Sequence, residues 1–356
     1  MRAIIATQDL PHHNTKATPL SDRLTLINTP TPEPGPTQVR IKIRATAVNP
    51  ADVLQSKGAY PPPPGATHIL GLECAGTIDK IGSQVTTLPG CEWITHGAPA
   101  AALLEGGAYA DYAIVDARQT LPLPNLPTPT ESDPSSDPTL DPMIQTMGLI
   151  ESAAASWMIL ENVAKLKSEP KPTVLIHGAS GGVGTIATQL AKSWGCRVYA
   201  TAGTPQRCAR VETLGAHKCF NYHDNWPALL KQTEPRGMCA IMDVLGGGGL
   251  THNVNALARG GHLAILGLLT GTKGELNLGT LLSKNASITA TTLRSQTPEN
   301  KAEIMRHLRK AVWPLVETGE IKPVIGKILP FEEMATAHAL LAGKGENVFG
   351  KIVVTL

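Results

Sequence analysis

The sequence predicts an α/β fold in two parts: a β-rich, barrel-like domain followed by a doubly wound parallel sheet. Three observations carry that prediction. Residues 1–120 read as short strands cut by proline and glycine turns. From Met147 onward, apolar β-branched runs alternate with segments of helical spacing, which is the pattern of βαβ units. The stretch Thr173 to Gly184, TVLIHGASGGVG, sets a short apolar run, a glycine cluster and a helix in succession.

Each element follows from its residues. Val39 to Ala45 alternates apolar with basic, a half-buried strand with one wet face. Thr29 to Pro36 and Tyr60 to Gly65 are too rich in proline for regular structure. Ile69 to Ile81 carries Gly71 and Gly76, and Gly82 follows, so it reads as a bent strand or barrel corner. Gly106 to Val115 is a glycine turn leading into another strand. Between Pro122 and Pro142, seven prolines are interleaved with Ser, Thr and Asp, the composition of a solvated insertion loop. Leu149 to Ala164 has the spacing of a helix with Trp157 and Leu160 on one side. Strands then follow at Thr173, Arg197–Thr201, Cys239–Leu245, Gly261–Gly267 and Ser287–Thr292, with helices near Gln206–Leu214 and over 299–318. The tail Val348–Leu356 ends in a strand able to return to the first domain.

Composition narrows the partners. The 356 residues are 42% hydrophobic and carry a formal net charge of only +2. With no Lys/Arg-rich run, nucleic acid and anionic membrane surfaces are poor partners. No apolar run reads as the roughly 20 residues needed to span a bilayer. The N-terminus turns polar too soon for a signal peptide. Six cysteines stand apart with no CxxC pair, which reads as reduced thiols in a cytoplasmic protein.

The glycine turn carries chemistry. A strand, a turn of the form Ala179-Ser180-Gly181-Gly182-Val183-Gly184 and a helix form a dinucleotide cradle. Gly181 lets backbone approach a pyrophosphate, Gly184 lets helix pack on strand, and the first helical N–H groups face the anion. The rival reading is an ordinary tight turn. NAD-preferring folds place an acid about 20 residues further on. Here Thr201-Ala202-Gly203-Thr204-Pro205-Gln206-Arg207 holds none, and Lys192 and Arg207 offer positive charge. A 2′-phosphate is favoured there, so the expected cofactor is NADPH.

These segments resemble the medium-chain dehydrogenase/reductase superfamily, and within it the zinc-free quinone oxidoreductase branch that includes ζ-crystallin and the p53-inducible quinone oxidoreductases. The resemblance rests on Ala47-Val48-Asn49-Pro50-Ala51-Asp52, Gly58 to Gly65, Ile69 to Gly76, Gly107 to Tyr112, His177 to Gly184, Thr201 to Thr204, Phe220-Asn221-Tyr222, Leu293-Arg294-Ser295 and Gly350 to Val353. It implies a GroES-like catalytic domain over 1–147 and 299–356, interrupted by the 122–142 insertion, and a Rossmann NADPH-binding domain over 148–298. Asn49 and Tyr60 are implied as the catalytic pair at the quinone end. Tyr222 is implied beside the adenosine, and Lys192 and Thr204 at the 2′-phosphate. Ser156, Gly267 and Leu268 are implied near the nicotinamide and Lys351 near the cofactor, with Arg294 lining the cleft. Zinc dehydrogenases of the superfamily carry Gly-His-Glu where this chain has Gly71-Leu72-Glu73, and their ligand cysteine falls near Asn49-Pro50. Leu72 cannot bind a metal, so none is expected. The chain departs from the family at Gly90-Cys91-Glu92, and Ile150-Glu151 stands where a Pro-Glu pair is common.

The implied activity is NADPH-dependent quinone reduction by hydride transfer, in a homodimer acting on a small molecule. An enoyl or 2-alkenal reductase on the same scaffold is the nearest alternative. An inactive, crystallin-like NADPH-binding protein is the alternative from another class. No residue identifies itself in the sequence as the source of the proton.

Overall fold

A computed structural model describes residues 1–10, 17–126, 141–169, 172–343 and 348–356. The chain forms two compact units. One holds Met1–Glu151, Arg294–Thr318 and Pro323–Leu356, and the other Ser152–Leu293 and Gly319–Lys322. The boundaries fall at 151/152, 293/294, 318/319 and 322/323, beside the 147/148 and 298/299 that the resemblance implies.

The first unit is built on two sheets. β1 (Arg2–Ala6), β2 (Thr18–Pro19) and β3 (Leu24–Asn28) make a small antiparallel sheet. The larger sheet uses β4 (Gln38–Val48), β5 (Glu73–Ile81), β6 (Pro99–Leu103), β7 (Tyr112–Asp116) and β8 (Thr120–Pro122), with β15 (Ile325–Pro330) and β16 (Lys351–Thr355) from the far end of the chain. β4 is its hinge. Its first half pairs with β7 and its last four residues with β16, while β5 runs along its other edge. Register breaks between β4 and β5 at Arg40/Ile41 and Ile43/Ala45 bend the strand, as bulges do. Val39, Ile41 and Ile43 point into the core, as their alternation predicted. Gly76 is required because a Cβ there would strike the Lys42 carbonyl across the β4–β5 pair.

The second unit is a six-stranded parallel sheet: β9 (Thr173–Ile176), β10 (Arg197–Ala202), β11 (Lys218–Asn221), β12 (Met238–Asp243), β13 (Leu257–Ile265) and β14 (Ser287–Ala290). The strand order β11-β10-β9-β12-β13-β14 reverses direction between β9 and β12. Ligands of such sheets bind at this switch point, beyond the carboxyl ends of the strands. β9 is wholly buried, which explains its unbroken apolar run.

Two long helical readings are broken by wider turns. Helix Pro298–His307 passes through a π-helical turn at Leu308–Val312 before Trp313–Glu317. Pro314 has no N–H to give the Lys310 carbonyl, which accounts for the break. Helix Ile150–Trp157 likewise widens at Met158–Val163. The helical run Pro142–Val163, with mean hydropathy 1.2, has a length and composition able to cross a membrane, which corrects the reading that no apolar run approaches that length. With 83% of its most apolar 18-residue window buried, it is a core segment of the fold. The insertion over 122–142 falls largely on 127–140, outside the described residues. All six cysteines are free thiols.

Candidate active site and cofactor site

In the second unit, the glycine turn stands where β9 ends. Ala179 N–H donates to the Thr201 carbonyl at 3.0 Å, and Gly181 caps helix Gly182–Ser193. A Cβ on Gly184 would lie 2.5 Å from both the Gly178 carbonyl oxygen and the Ala179 Cα, so only glycine lets this helix start so close to the strand. On Gly181 a Cβ would meet nothing nearer than 3.4 Å, which leaves that face of the turn open. The first N–H groups of the helix, from Gly182 and Val183, have no intrahelical acceptor. Ser180 is buried in the same turn. Ser156 Oγ donates to the Ser152 carbonyl at 2.6 Å and to the Val183 carbonyl at 3.3 Å, which joins Ser156 to the turn.

The neighbouring strand ends complete this edge. Thr204 caps helix Pro205–Thr213 through its Oγ1, which accepts from Arg207 N–H at 3.2 Å. Tyr222 lies over Gly203: a Cβ on that glycine would sit 2.6 Å from the tyrosine hydroxyl. Tyr222 is 48% exposed, with the His223 ring tilted beside it at 4.5 Å between centroids. Gly267 and Leu268 follow β13, and the loop is tied to the end of β12 by Leu269 N–H donating to the Val244 carbonyl at 3.0 Å. Gly203, Thr204, Arg207 and Tyr222 therefore come together, and Lys192 does not join them. It lies in the last turn of its helix, ten residues beyond Gly182 or about 15 Å along the axis. Its stem packs beside Gly215, at the far end of the Arg207 helix.

The first unit concentrates charge around Asn49. Val48 ends β4, and Pro50 pre-sets φ for the first turn of helix Pro50–Ser56. Asn49 between them is extended, as a residue before proline prefers to be. Its backbone N–H donates to Asp52 Oδ2 at 2.9 Å, and Gly71 N–H donates to Asp52 Oδ1 at 3.0 Å. Gly71, at φ +96°, leaves no room for a side chain against Tyr109. Asn49 Nδ2 donates to Glu73 Oε1 at 2.8 Å. The antiparallel pair Ile352↔Val48 then brings Lys351, 302 residues away, beside it. Lys351 Nζ donates to Asn49 Oδ1 at 2.6 Å and to Glu73 Oε1 at 2.5 Å. Glu151 completes the group: its backbone N–H donates to Glu73 Oε2 at 3.1 Å, and its Oε2 lies 3.6 Å from Lys351 Nζ.

One ammonium thus balances three carboxyls in a site where only Glu151 keeps appreciable exposure. Burial pushes Asp52 up to about 6, against the pull of the Asn49 and Gly71 N–H groups and of Lys351. Burial likewise pushes Glu151 up to about 7, against Lys351 and reinforced by Glu73 and Asp52. Burial works to lower Lys351, but Glu73 and Glu151 outweigh it and hold it above the usual lysine range. The orientation of the Asn49 amide is fixed as well. An ammonium can only donate and a carboxylate only accept, so Oδ1 must face Lys351 and Nδ2 must face Glu73. One Nδ2 hydrogen remains beyond these bonds.

Tyr60 lies beneath Arg294, whose guanidinium carbon is 5.5 Å from the ring centroid. Arg294 is buried. Its Nε donates to the Glu105 carbonyl and its Nη2 to Gln55 Oε1, both at 2.8 Å, while its buried Nη1 has no hydrogen-bond partner among the described residues. Sequence reasoning gave no role to Glu73, Asp52 or Glu151. Asp52 and Glu73 stand inside the motifs that carry the resemblance, and Glu151 is the second residue of the Ile150-Glu151 pair.

Residues 35–125 match the family described as alcohol dehydrogenase GroES-like domain, and residues 182–310 match the zinc-binding dehydrogenase family. The chain is 30% identical over 331 residues to the quinone oxidoreductase of Lama guanicoe, covering 91% of each. A solved structure described as an NAD-dependent alcohol dehydrogenase has a TM-score of 0.77 at 27% identity, with both chains covered in full. Escherichia coli quinone oxidoreductase, solved in complex with NADPH, has a TM-score of 0.78 at 21% identity, again over 100% of both chains. The first unit is a GroES-like domain and the second a Rossmann-like one. The chain belongs to the quinone oxidoreductase branch of the medium-chain dehydrogenase/reductase superfamily.

Proposed function

We propose that the protein is an NADPH-dependent reductase that delivers hydride to quinones without a metal ion. The observation that carries this reading is the Lys351 ammonium bonded to Glu73 and Asn49. In zinc dehydrogenases of the superfamily, ligands stand at the positions of Leu72 and Asn49-Pro50. Here the donor set is an amide, a carboxylate and a resident cation, apolar Leu72 stands at the ligand position, and a zinc ion does not fit. Reduction without a Lewis acid calls for an acceptor that spreads the incoming charge itself, as a conjugated quinone does.

NADPH suits the second unit. The open face of the Gly181 turn and the free N–H groups behind it match a pyrophosphate. Thr204 and Arg207 at the end of β10 match a 2′-phosphate, with no carboxylate there to repel it. Tyr222 offers a stacking face for the adenine, and Ser156, Gly267 and Leu268 belong to the nicotinamide end. Bound, NADPH would supply the hydride. In the first unit, the remaining Asn49 Nδ2 hydrogen, the Tyr60 hydroxyl and Arg294 Nη1 are the donors for an acceptor oxygen, and Lys351 serves by holding Asn49. We place the protein in the cytoplasm as a homodimer paired through β14, the outer strand of the parallel sheet.

The test is steady-state turnover with NADPH or NADH against a panel of ortho- and para-quinones and α,β-unsaturated ketones, with a chelator present. Quinone turnover driven by NADPH is expected. Turnover of enones alone would move the reading to an alkenal reductase. Tight NADPH binding with no turnover of either would move it to a non-enzymatic binding protein.

A further inference from the structure

A hydride alone does not complete the reduction of a carbonyl. The acceptor takes two electrons with the hydride and is left with negative charge on oxygen, which a proton must discharge. The buried cluster of the first unit contains a group placed to hold that proton. Lys351 offers one positive charge to three carboxyls. Glu73 takes two hydrogen bonds on Oε1, from Asn49 and Lys351, and one on Oε2, from the Glu151 backbone. Asp52 is bonded by two backbone N–H groups and closed from solvent. Glu151 differs from both. Its Oε2 is buried with no hydrogen bond, 3.6 Å from Lys351 Nζ, and its side chain keeps 14% exposure where Glu73 has none. Of the three acids it alone has a carboxyl oxygen without a hydrogen bond, and its side chain alone keeps any exposure.

We propose that Glu151 is the proton donor of the reduction, with Lys351 holding the carboxylate it becomes. This rests on the hydride-transfer reading above. In the step, the acceptor gains the hydride and is reduced by two electrons while the nicotinamide is oxidised. The O–H bond of the Glu151 carboxyl breaks, and its proton passes to the acceptor oxygen. The electron pair stays on Glu151, whose charge Lys351 then balances, and solvent returns the proton through the exposed side. The groups that face Glu151 are Lys351 on β16, Glu73 on β5 and Asp52 on helix Pro50–Ser56. The two acids oppose its ionisation and the ammonium assists it, so the acid form persists to about pH 7.

The experiment compares wild type, Glu151→Gln and Glu151→Asp from pH 5.5 to 9 with NADPH and 9,10-phenanthrenequinone. Wild-type kcat is expected to fall as pH rises through about 7, because the acid form is the one that works. Glu151→Gln, close in shape to the neutral acid, should bind NADPH as wild type does. It should turn over about 100-fold more slowly, without that alkaline fall. Glu151→Asp should recover part of the rate and the pH limb. A Glu151→Gln enzyme with the wild-type rate and the same limb overturns the proposal. Absence of any turnover in wild type would instead be a failure of the reductase reading, and an infrared titration then decides the proton. A protonated-carboxyl band at pH 6 in wild type that is missing from Glu151→Gln supports the assignment, and no difference between the two overturns it.

Discussion

Lys351 Nζ lies 2.5 Å from Glu73 Oε1, and both side chains are closed off, at 4% and 0% exposure. The contact joins the first residue of the last strand to the first residue of β5, across 278 positions of sequence. It brings the chain terminus to the residues around Asn49.

Breaking that pair should be costly. Lys351→Met leaves Glu73 without its ammonium in a buried site and should reduce unfolding free energy by about 3–5 kcal/mol. The double variant with Glu73→Gln should recover a large part of the loss, since both charges are then gone. Urea denaturation of the four proteins in the cycle measures this. A Lys351→Met protein as stable as wild type would show that the pair contributes nothing.

Cofactor choice should depend on Arg207 and leave Lys192 aside. Arg207 stands in the first turn after β10, while Lys192 is in the last turn of the preceding helix. Arg207→Ala should weaken NADPH by roughly tenfold or more, the scale of one charge-assisted hydrogen bond, with little effect on NADH. Lys192→Ala should change neither. Titration of both nucleotides by fluorescence separates the cases, and equal losses for the two nucleotides in Arg207→Ala would remove the 2′-phosphate from that site.

Glu151 should tie stability to pH. Its folded pKa, about 7, lies above the ordinary carboxyl value because burial disfavours the charge. Its contribution to stability is therefore complete at acid pH and is lost as pH rises toward 7. Relative to wild type, Glu151→Gln should become progressively more stable between pH 4.5 and 7, with no further change above. Thermal unfolding of both proteins over that range checks the trend, and a constant difference would contradict it.

The parallel sheet ends at β14, and the helix leading into it, Leu278–Lys284, exposes Leu278 at 68% and Leu282 at 83%. Two such edges paired across a twofold axis would cover these side chains. Light scattering should give a dimer for wild type, and Leu282→Glu should shift it toward monomer. A monomeric wild type would refute the pairing.

Local chemistry made much of this protein legible in its sequence. The apolar run of β9, the glycines at 181 and 184 and the spacing of later strands and helices each record a short-range requirement: burial on both faces, close backbone approach, and regular alternation. The missing acid after β10 and the Leu72 substitution could be read in the same way, because each concerns a residue type at a fixed offset. The proximity of Lys351, Glu73, Asn49 and Glu151 could not. It arises from the antiparallel pairing of β16 on the end of β4, and strand pairing over such separations leaves no periodic mark on sequence. For the same reason Lys192 read as a phosphate ligand: its charge suited the role, but only the length of its helix showed that it points to the other end of the sheet. Glu151 stood out only as the second residue of the Ile150-Glu151 pair, which says nothing of its chemistry, since a glutamate in a helical first turn is commonplace. Its distinction comes from the one cation and two further acids that the tertiary fold gathers around it, in a site with little water to screen them.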